Sequence, residues 1–109
     1  MTVFITEILN GESLNSRESG GIVFEVINNM ISKEKEVILS FKGIEMCSSA
    51  FINASIGKLY FTNDADKVDS VLSFQDVEES LMKNIERSIQ DAKDFDFHEG
   101  LVDDALLAL

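Results

Sequence analysis

The architecture of this chain follows from residues 37–59, whose sequence is VILSFKGIEMCSSAFINASIGKL. The first part, residues 37–41, is almost entirely apolar and rich in β-branched and aromatic residues. Such a run favours a strand that is covered on both faces, as in a parallel sheet. Ser48 and Ser49 then precede an apolar helical pattern, and serine is a preferred helix N-cap because its hydroxyl accepts a hydrogen bond from an otherwise unpaired N–H. The stretch therefore predicts a buried strand, a short loop and a serine-capped helix.

Strand and helix patterns alternate along the rest of the chain. Asn10-Gly11 is a turn signal, and residues 62–69 are polar and acidic and predict a solvated loop. We expect strands at 3–9 and 71–74, a short additional strand at 12–15, and helices near 20–32, 50–61 and 77–93. This order predicts an α/β sandwich with a mixed, mostly parallel β-sheet of about four strands and three main helices.

Parallel strands would place the N-termini of the three helices at one edge of the sheet. That edge is where α/β folds usually bind ligands. Residues that are scattered along the sequence would then gather into one surface, which would hold Ser16, Arg17, Gly20, Gly21, Ser48, Ser49, Asn53 and Asp76.

The composition of the chain limits the partners and functions that it can have. The chain has 109 residues, enough for one domain, and its 9 Lys and Arg against 20 Asp and Glu give a formal net charge of −11. Nucleic-acid affinity rests on cations that neutralise phosphates, and anionic lipid repels the same charge, so we expect no nucleic acid and no membrane among its partners. The single cysteine, Cys47, fits a reducing cytoplasm, and no signal peptide or apolar span is apparent.

The sequence contains no recognisable catalytic or metal-binding arrangement. A nucleophilic Cys47 would need an activating base, and the only histidine, His98, lies in the C-terminal tail. The acidic residues of 62–69 do not match an EF-hand, whose glycine position holds Asp69. We therefore expect a non-enzymatic protein without a cofactor or a metal site.

Several short motifs resemble the STAS-like domain family of small bacterial proteins. In chain order they are Ser40-Phe41, Gly43-Ile44, Ser48-Ser49, Phe51, Asn53 and Gly57-Lys58-Leu59. Upstream, Ser16-Arg17-Glu18 with Gly20 resembles the family's Ser/Thr-Arg-x-x-Gly element. The resemblance covers about residues 3–93, so we expect a STAS-like domain at 1–95 and a C-terminal tail at 96–109 whose apolar residues suit a short helix.

The STAS-like family is in turn similar to the anti-sigma factor antagonists, in which a partner kinase phosphorylates a serine of an Asp-Ser-Ser-Gly motif. This chain has Cys47 or Ser48 in place of that aspartate. The resemblance nevertheless implies Ser49 and Ser48 as candidate phosphoacceptors, although N-capping is an alternative role for either hydroxyl. Candidate interaction or binding residues are Ser16, Arg17, Gly20, Phe51, Asn53, Gly57 and Lys58.

Two function classes follow. The first is a regulatory protein-interaction module of the STAS-like type, a partner-switching element for which the resemblance implies a histidine-kinase-like ATPase as partner. The second is a small-molecule or nucleotide-binding module that uses the edge formed by the helix N-termini.

Overall fold

A computed structural model of the chain describes residues 1–11 and 13–95. In chain order the elements are β1 (Thr2–Phe4), α1 (Ile5–Leu9), α2 (Arg17–Ile31), β2 (Val37–Ser40), α3 (Ser49–Ile52), a π-helical turn (Asn53–Gly57), α4 (Lys58–Thr62), α5 (Ala65–Val71), β3 (Leu72–Gln75) and α6 (Glu79–Phe95). The C-terminal tail and His98 lie outside the described residues. In the described part of the chain, no helix is both long enough and apolar enough to cross a membrane.

The three strands form one open parallel sheet with β2 in the centre. The order is β1-β2-β3, and Leu39 of β2 lies between Val3 and Phe74. Leu39 is fully buried, so the apolar run at 37–41 forms the centre of the sheet as predicted. The α/β class is confirmed, whereas about four strands, mixed pairing and three main helices are not confirmed for the described residues.

The described residues cover the two faces of this sheet unequally. Side chains alternate along a strand, so Val37 and Leu39 point to one face and Ile38 to the other. Val37 and Leu39 are fully buried, whereas Ile38 is half-buried and its neighbours in the sheet, Thr2 and Ser73, are exposed. Ser40, which shares the face of Ile38, is fully buried, so the described residues cover this second face in part.

A continuous helical segment, residues 49–62, forms the centre of the helical layer. Its α3, π-helical and α4 parts join through residues with right-handed helical dihedral angles. It packs between α2 and α6 at two glycines. A Cβ atom on Gly20 would lie 2.7 Å from the carbonyl oxygen of Phe51, and one on Gly57 would lie 2.6 Å from Oγ of Ser88. Glycine at these positions therefore allows three helices to approach closely.

The core includes side chains from β2, the segment 49–62 and α6. Six of its large apolar side chains are at most 4% exposed, namely Leu39, Phe41, Ile44, Phe51, Leu59 and Ile85. The rings of Phe41 and Phe74 lie 6.3 Å apart and tilted by 57°, an arrangement that aromatic pairs favour.

The predicted strand at 3–9 is wrong beyond Phe4, because the chain turns into α1. Ile5 and Leu9 lie one helical turn apart and both are buried, and a short apolar run does not distinguish this pattern from a strand. The turn prediction is confirmed, since Asn10 adopts the left-handed conformation (φ 47°) and its N–H donates to the carbonyl of Thr6. The additional strand at 12–15 is not formed by residues 13–15.

The predicted loop at 62–69 is also wrong. Residues up to Thr62 belong to α4, and α5 begins at Ala65 with Asp64 as its N-cap, whose carboxylate accepts the N–H of Asp66 at 3.2 Å. Val68 of α5 is fully buried. The burial of this one apolar residue anchors the short helix. The acidic residues around it make the helix difficult to recognise in the sequence. Within the described ranges, no group of His, Cys, Asp or Glu side chains is placed to hold a metal ion.

A polar network fastens α4, α5 and α6 to one another. The hydroxyl of Tyr60 donates to Oδ1 of Asp69 at 2.7 Å, and Nζ of Lys93 lies 3.1 Å from Oδ2 of the same carboxylate. The hydrogen bond from Tyr60, followed by the contacts with Lys93, lowers the pKa of Asp69. Folding therefore stabilises the ionised carboxylate.

This network should contribute to the acid sensitivity of the protein. Because the folded-state pKa of Asp69 is lowered, its stabilisation is complete above the unfolded pKa of about 4 and disappears as the pH falls through the folded value. Urea midpoints measured by circular dichroism between about pH 6 and 2 should fall less for Tyr60→Phe than for wild type. The common effect of the net charge cancels in this comparison. Identical pH profiles would show that the network does not contribute.

Candidate functional site

The loop from β2 to α3 presents two serines with different surroundings. Ser48 is extended (φ −72°, ψ 158°), and its Oγ accepts the N–H of Phe51 at 3.1 Å. Its own N–H donates to the carbonyl of Leu14 at 3.3 Å. Ser48 is therefore the N-cap of α3 and is held from both sides.

Ser49 is the first residue of α3 and is exposed. Its hydroxyl makes no hydrogen bond with another residue in the described part of the chain. The sequence did not show which of the two serines caps the helix. In the structure Ser48 is the cap, and Ser49 presents an unbonded hydroxyl to solvent.

A small cavity of about 90 Å³ lies between α3 and α6 beside Ser49. Its lining includes one cation, the exposed Arg87, and is formed by Ser49, Ile52, Asn53, Asn84, Arg87, Ser88 and Asp91. At its base, the buried hydroxyl of Ser88 donates to Oδ1 of Asn53 at 2.6 Å. This bond fixes the Asn53 amide at the start of the π-helical turn, a feature that frequently occurs at functional sites.

A larger open groove of about 500 Å³ lies where the β2–α3 and β3–α6 connections meet. At its inner end, the buried Ser40 donates to Oδ2 of Asp76 at 3.2 Å and accepts the N–H of Lys42. One ammonium group faces four carboxylates in its lining, those of Glu45, Asp76, Glu78 and Glu79. This excess of negative charge opposes the binding of phosphate-bearing ligands.

Cys47 and Met46 differ sharply in exposure, although they are neighbours. Cys47 is 8% exposed, and burial raises the pKa of its thiol to about 11, so the thiol is protonated at neutral pH and is a poor nucleophile. Met46 is 78% exposed. The flexible thioether side chain suits contact with a partner surface. The loop thus buries the thiol of Cys47 and exposes the flexible apolar side chain of Met46.

Other residues that were predicted for the site occupy different positions. Ser16 caps α2 by accepting the N–H of Ser19 at 3.1 Å, and Arg17 is exposed in the first turn of that helix. Nζ of Lys58 lies 4.6 Å from the ring centroid of Phe24, a cation–π contact with α2.

The three apolar or glycine candidates are buried in packing contacts. Phe51 is fully buried, Gly20 faces the backbone of Phe51, and Gly57 faces Ser88. Of the predicted residues, Ser49 and Asn53 are the pair that the structure brings to one cavity.

The sequence motifs did not indicate that α6 contributes to this cavity. Asn84, Arg87, Ser88 and Asp91 recur at intervals of one helical turn beside the apolar stripe of this helix. That polar periodicity is visible in the sequence and would have signalled a second, polar contact face. It does not disclose which element the face meets.

The two serines should differ in their effect on stability. Ser48→Ala removes the side-chain cap and should lower the free energy of unfolding by about 1 kcal/mol. Ser49→Ala should change it by less than about 0.5 kcal/mol, because the lost hydroxyl is unbonded and alanine favours a helix. Urea unfolding of both variants, followed by circular dichroism, measures the difference. Equal losses would contradict the assignment of the cap to Ser48.

The comparison with known families covers the central part of the chain. A family model described as a STAS-like domain of unknown function matches residues 21–82, more than half of the chain, from within α2 to the first turn of α6. The match includes β2, both serines, the π-helical turn and β3. No curated protein and no solved structure matches the chain. The chain therefore belongs to the family of STAS-like domains of unknown function.

Proposed function

We propose that this protein is a non-enzymatic regulatory module that binds a partner protein through a surface at the β2–α3 loop. We define this serine surface as Met46, Ser49 and Arg87. One observation carries the proposal: Ser49 presents an exposed, unbonded hydroxyl on the first turn of a packed helix, with the exposed Met46 three residues before it.

The packing around Ser49 would allow a modification of this serine to change the surface of the domain without unfolding it. Ser48 caps α3, and Phe51 is buried against α2 through the contact with Gly20. A phosphate on Ser49 would add about two negative charges outside this packing. We infer that the domain remains folded after phosphorylation while a partner surface built for a neutral hydroxyl is repelled.

The partner-switching mechanism is proposed from the family relationship. STAS-like domains resemble the anti-sigma factor antagonists, and a histidine-kinase-like ATPase is the partner that this resemblance implies. The protonated, buried thiol of Cys47 supports a binding role over a catalytic one, because this thiol lacks the thiolate character that a nucleophile needs.

A second candidate function is the binding of a small molecule in the open groove. Its volume of about 500 Å³ falls within the usual range for ligand sites, which is about 300–1,000 Å³. The carboxylates of Glu45, Glu78 and Glu79 make a nucleotide a poor ligand for it. A neutral or cationic molecule fits the charge of this groove better.

The test begins with capture of the partner on wild-type protein from host cells, followed by affinity measurements with purified partner. We expect Ser49→Asp to bind at least about tenfold more weakly, since a like charge or an unpaired charge at an interface costs several kcal/mol. Ser49→Ala should bind like wild type. Ser70→Asp, at an exposed serine of α5 before β3, is a matched control for the added charge. Circular dichroism establishes that each variant is folded.

Mass spectrometry of the protein from host cells complements the binding data, because aspartate imitates phosphate imperfectly. Phosphate is expected on Ser49 and not on Ser48. If Ser49→Asp binds as tightly as wild type and Ser49 carries no phosphate, the switch hypothesis must give way to a constitutive binding module.

A further inference from the structure

The cavity between α3 and α6 is lined by Ser49 on one side and by Asn84 and Arg87 on the other. Arg87 is exposed and forms no ion pair with the rest of the described chain. The whole chain has a net charge of −11, so most of its surface repels an anion. An arginine that lines the same cavity as a serine with an unbonded hydroxyl gives a position where an added anion is instead attracted.

We propose that this cavity is a phosphate-binding site, in which Arg87 and Asn84 hold the phosphate group of phosphorylated Ser49 against α6. The presence of the phosphate rests on the proposed function, and the new element is the set of residues that receives it. The planar guanidinium suits phosphate because two parallel N–H groups can donate to two of its oxygens. The Asn84 amide supplies a further donor from the preceding turn of the same helix.

Asn53 adds a third donor to the cavity. Its Oδ1 accepts the hydroxyl of Ser88 at 2.6 Å, which orients the amide and leaves Nδ2 without a hydrogen-bond partner among the described residues. Ser88 is buried and acts here as a positioning residue for Asn53. The donors therefore come from both helices, so a bound phosphate would bridge α6 and the beginning of the π-helical turn.

The size and charge of the cavity limit what it can take. A volume of about 90 Å³ suits one phosphate group and is well below the usual range for ligand sites, which is about 300–1,000 Å³. Asp91 also lines the cavity, one helical turn beyond Arg87, and its carboxylate repels an anion. The phosphate should therefore lie at the end of the cavity formed by Arg87 and Asn84.

In this arrangement the phosphate would act as a clamp, that is, a link that holds Ser49 to α6. The modified Ser49 would be tied to α6, and Arg87 would be withdrawn from the serine surface at the same moment. A partner that contacts the guanidinium would lose that contact and meet a phosphate, while the fold gains a link between two helices.

The test uses the full-length protein with phosphoserine incorporated genetically at position 49. Urea unfolding is measured for Arg87 and Arg87→Gln proteins, each with serine and with phosphoserine. We expect phosphorylation to be about three- to tenfold more unfavourable to the folding equilibrium in Arg87→Gln than in wild type, as expected for the loss of charge-assisted hydrogen bonds. Lys83→Gln is the matched control, because Lys83 is an exposed cation one turn earlier on α6 and does not line this cavity.

Phosphorus NMR gives a readout that a purely structural role of Arg87 would not change. The second pKa of phosphoserine is about 6, and a guanidinium within contact distance lowers it. The charged groups that line the cavity are Arg87 and Asp91. The adjoining cavities add one cation, Lys83, and three carboxylates, those of Glu45, Glu78 and Glu79. We expect the titration midpoint to rise in Arg87→Gln, to stay unchanged in Lys83→Gln and to fall in Asp91→Asn.

Equal unfolding and titration behaviour of Arg87→Gln and Lys83→Gln would overturn the phosphate site. Because the phosphate is installed directly, this outcome does not depend on any partner. If phosphorylation weakens partner binding but Arg87→Gln does not change its effect on unfolding, the phosphate site is contradicted and the proposed function stands. If Arg87→Gln changes that effect but phosphorylation leaves partner binding unchanged, the proposed function is contradicted and the phosphate site stands.

Discussion

Replacing Leu59 or Ile85 with alanine should lower the free energy of unfolding by about 2–5 kcal/mol. Both side chains are fully buried, Leu59 in α4 and Ile85 in α6, where these helices pack against each other. Alanine removes three carbon atoms and leaves a cavity that the surrounding helices fill only in part. Urea unfolding followed by circular dichroism gives the difference directly.

A matched control for these substitutions is Met46→Ala. Met46 is a large apolar side chain of similar size, but 78% of it is exposed, so its truncation should change the free energy of unfolding by less than about 0.5 kcal/mol. Losses below about 1 kcal/mol at both Leu59 and Ile85 would contradict their placement in the core.

Gly20→Ala should lower the free energy of unfolding by about 1–3 kcal/mol, although alanine is the better helix former. The new Cβ atom would lie 2.7 Å from the carbonyl oxygen of Phe51 and 2.8 Å from Cβ of Ala54. Both obstacles belong to backbone or to the shortest of side chains, so α2 and the segment 49–62 must move apart. Overpacking of this kind typically costs more than the propensity of about 1 kcal/mol that alanine gains.

The neighbouring Gly21→Ala provides the control. A Cβ atom there would meet nothing within 4 Å, and Gly21 lies in the same helical turn. This substitution should therefore raise the free energy of unfolding by about 0.5–1 kcal/mol. Opposite signs at two adjacent glycines are the specific expectation. A stabilising Gly20→Ala would show that the two helices do not approach as closely as described.

Elements whose apolar pattern was long enough were predictable from the sequence. The run at 37–41 identified the central strand, and the spacing of Leu81, Ile85 and Ala92 identified α6, because burial of one face imposes a regular spacing. The helix start at Ser48 was predictable too, since N-capping is a local interaction between residues three positions apart.

The short elements were not predictable, because their identity depends on tertiary contacts. Ile5 and Leu9 become a helical pair only when the chain turns at Phe4, and the burial of Val68 fixes α5. Only the part of the candidate site that belongs to the segment 49–62 was predictable. Ser49 and Asn53 follow from the central motif, whereas Arg87 joins them through the packing of α6, which involves residues more than thirty positions away.

The glycines show why a family motif need not mark a binding surface. Gly20 and Gly57 belong to segments that resemble family motifs, and a functional role was a reasonable hypothesis for both. In the structure each lies where a Cβ atom would collide with the next helix. Their absence of a side chain is explained by the distance between helices, and the serine surface is consequently defined without them.

The π-helical turn gives the segment 49–62 one residue more than a regular helical path requires. The N–H of Lys58 donates to the carbonyl of Asn53, five positions earlier. Each residue of an α-helix rotates the chain by about 100°, so one additional residue in a regular helix would rotate α3 by about that angle relative to α4. The wider π-helical turn takes up most of this rotation, so Ser49 stays on the side that meets α6 while Leu59 stays in the core. In genetic terms, the segment accommodates one additional codon between the serine and the core without changing the direction of either.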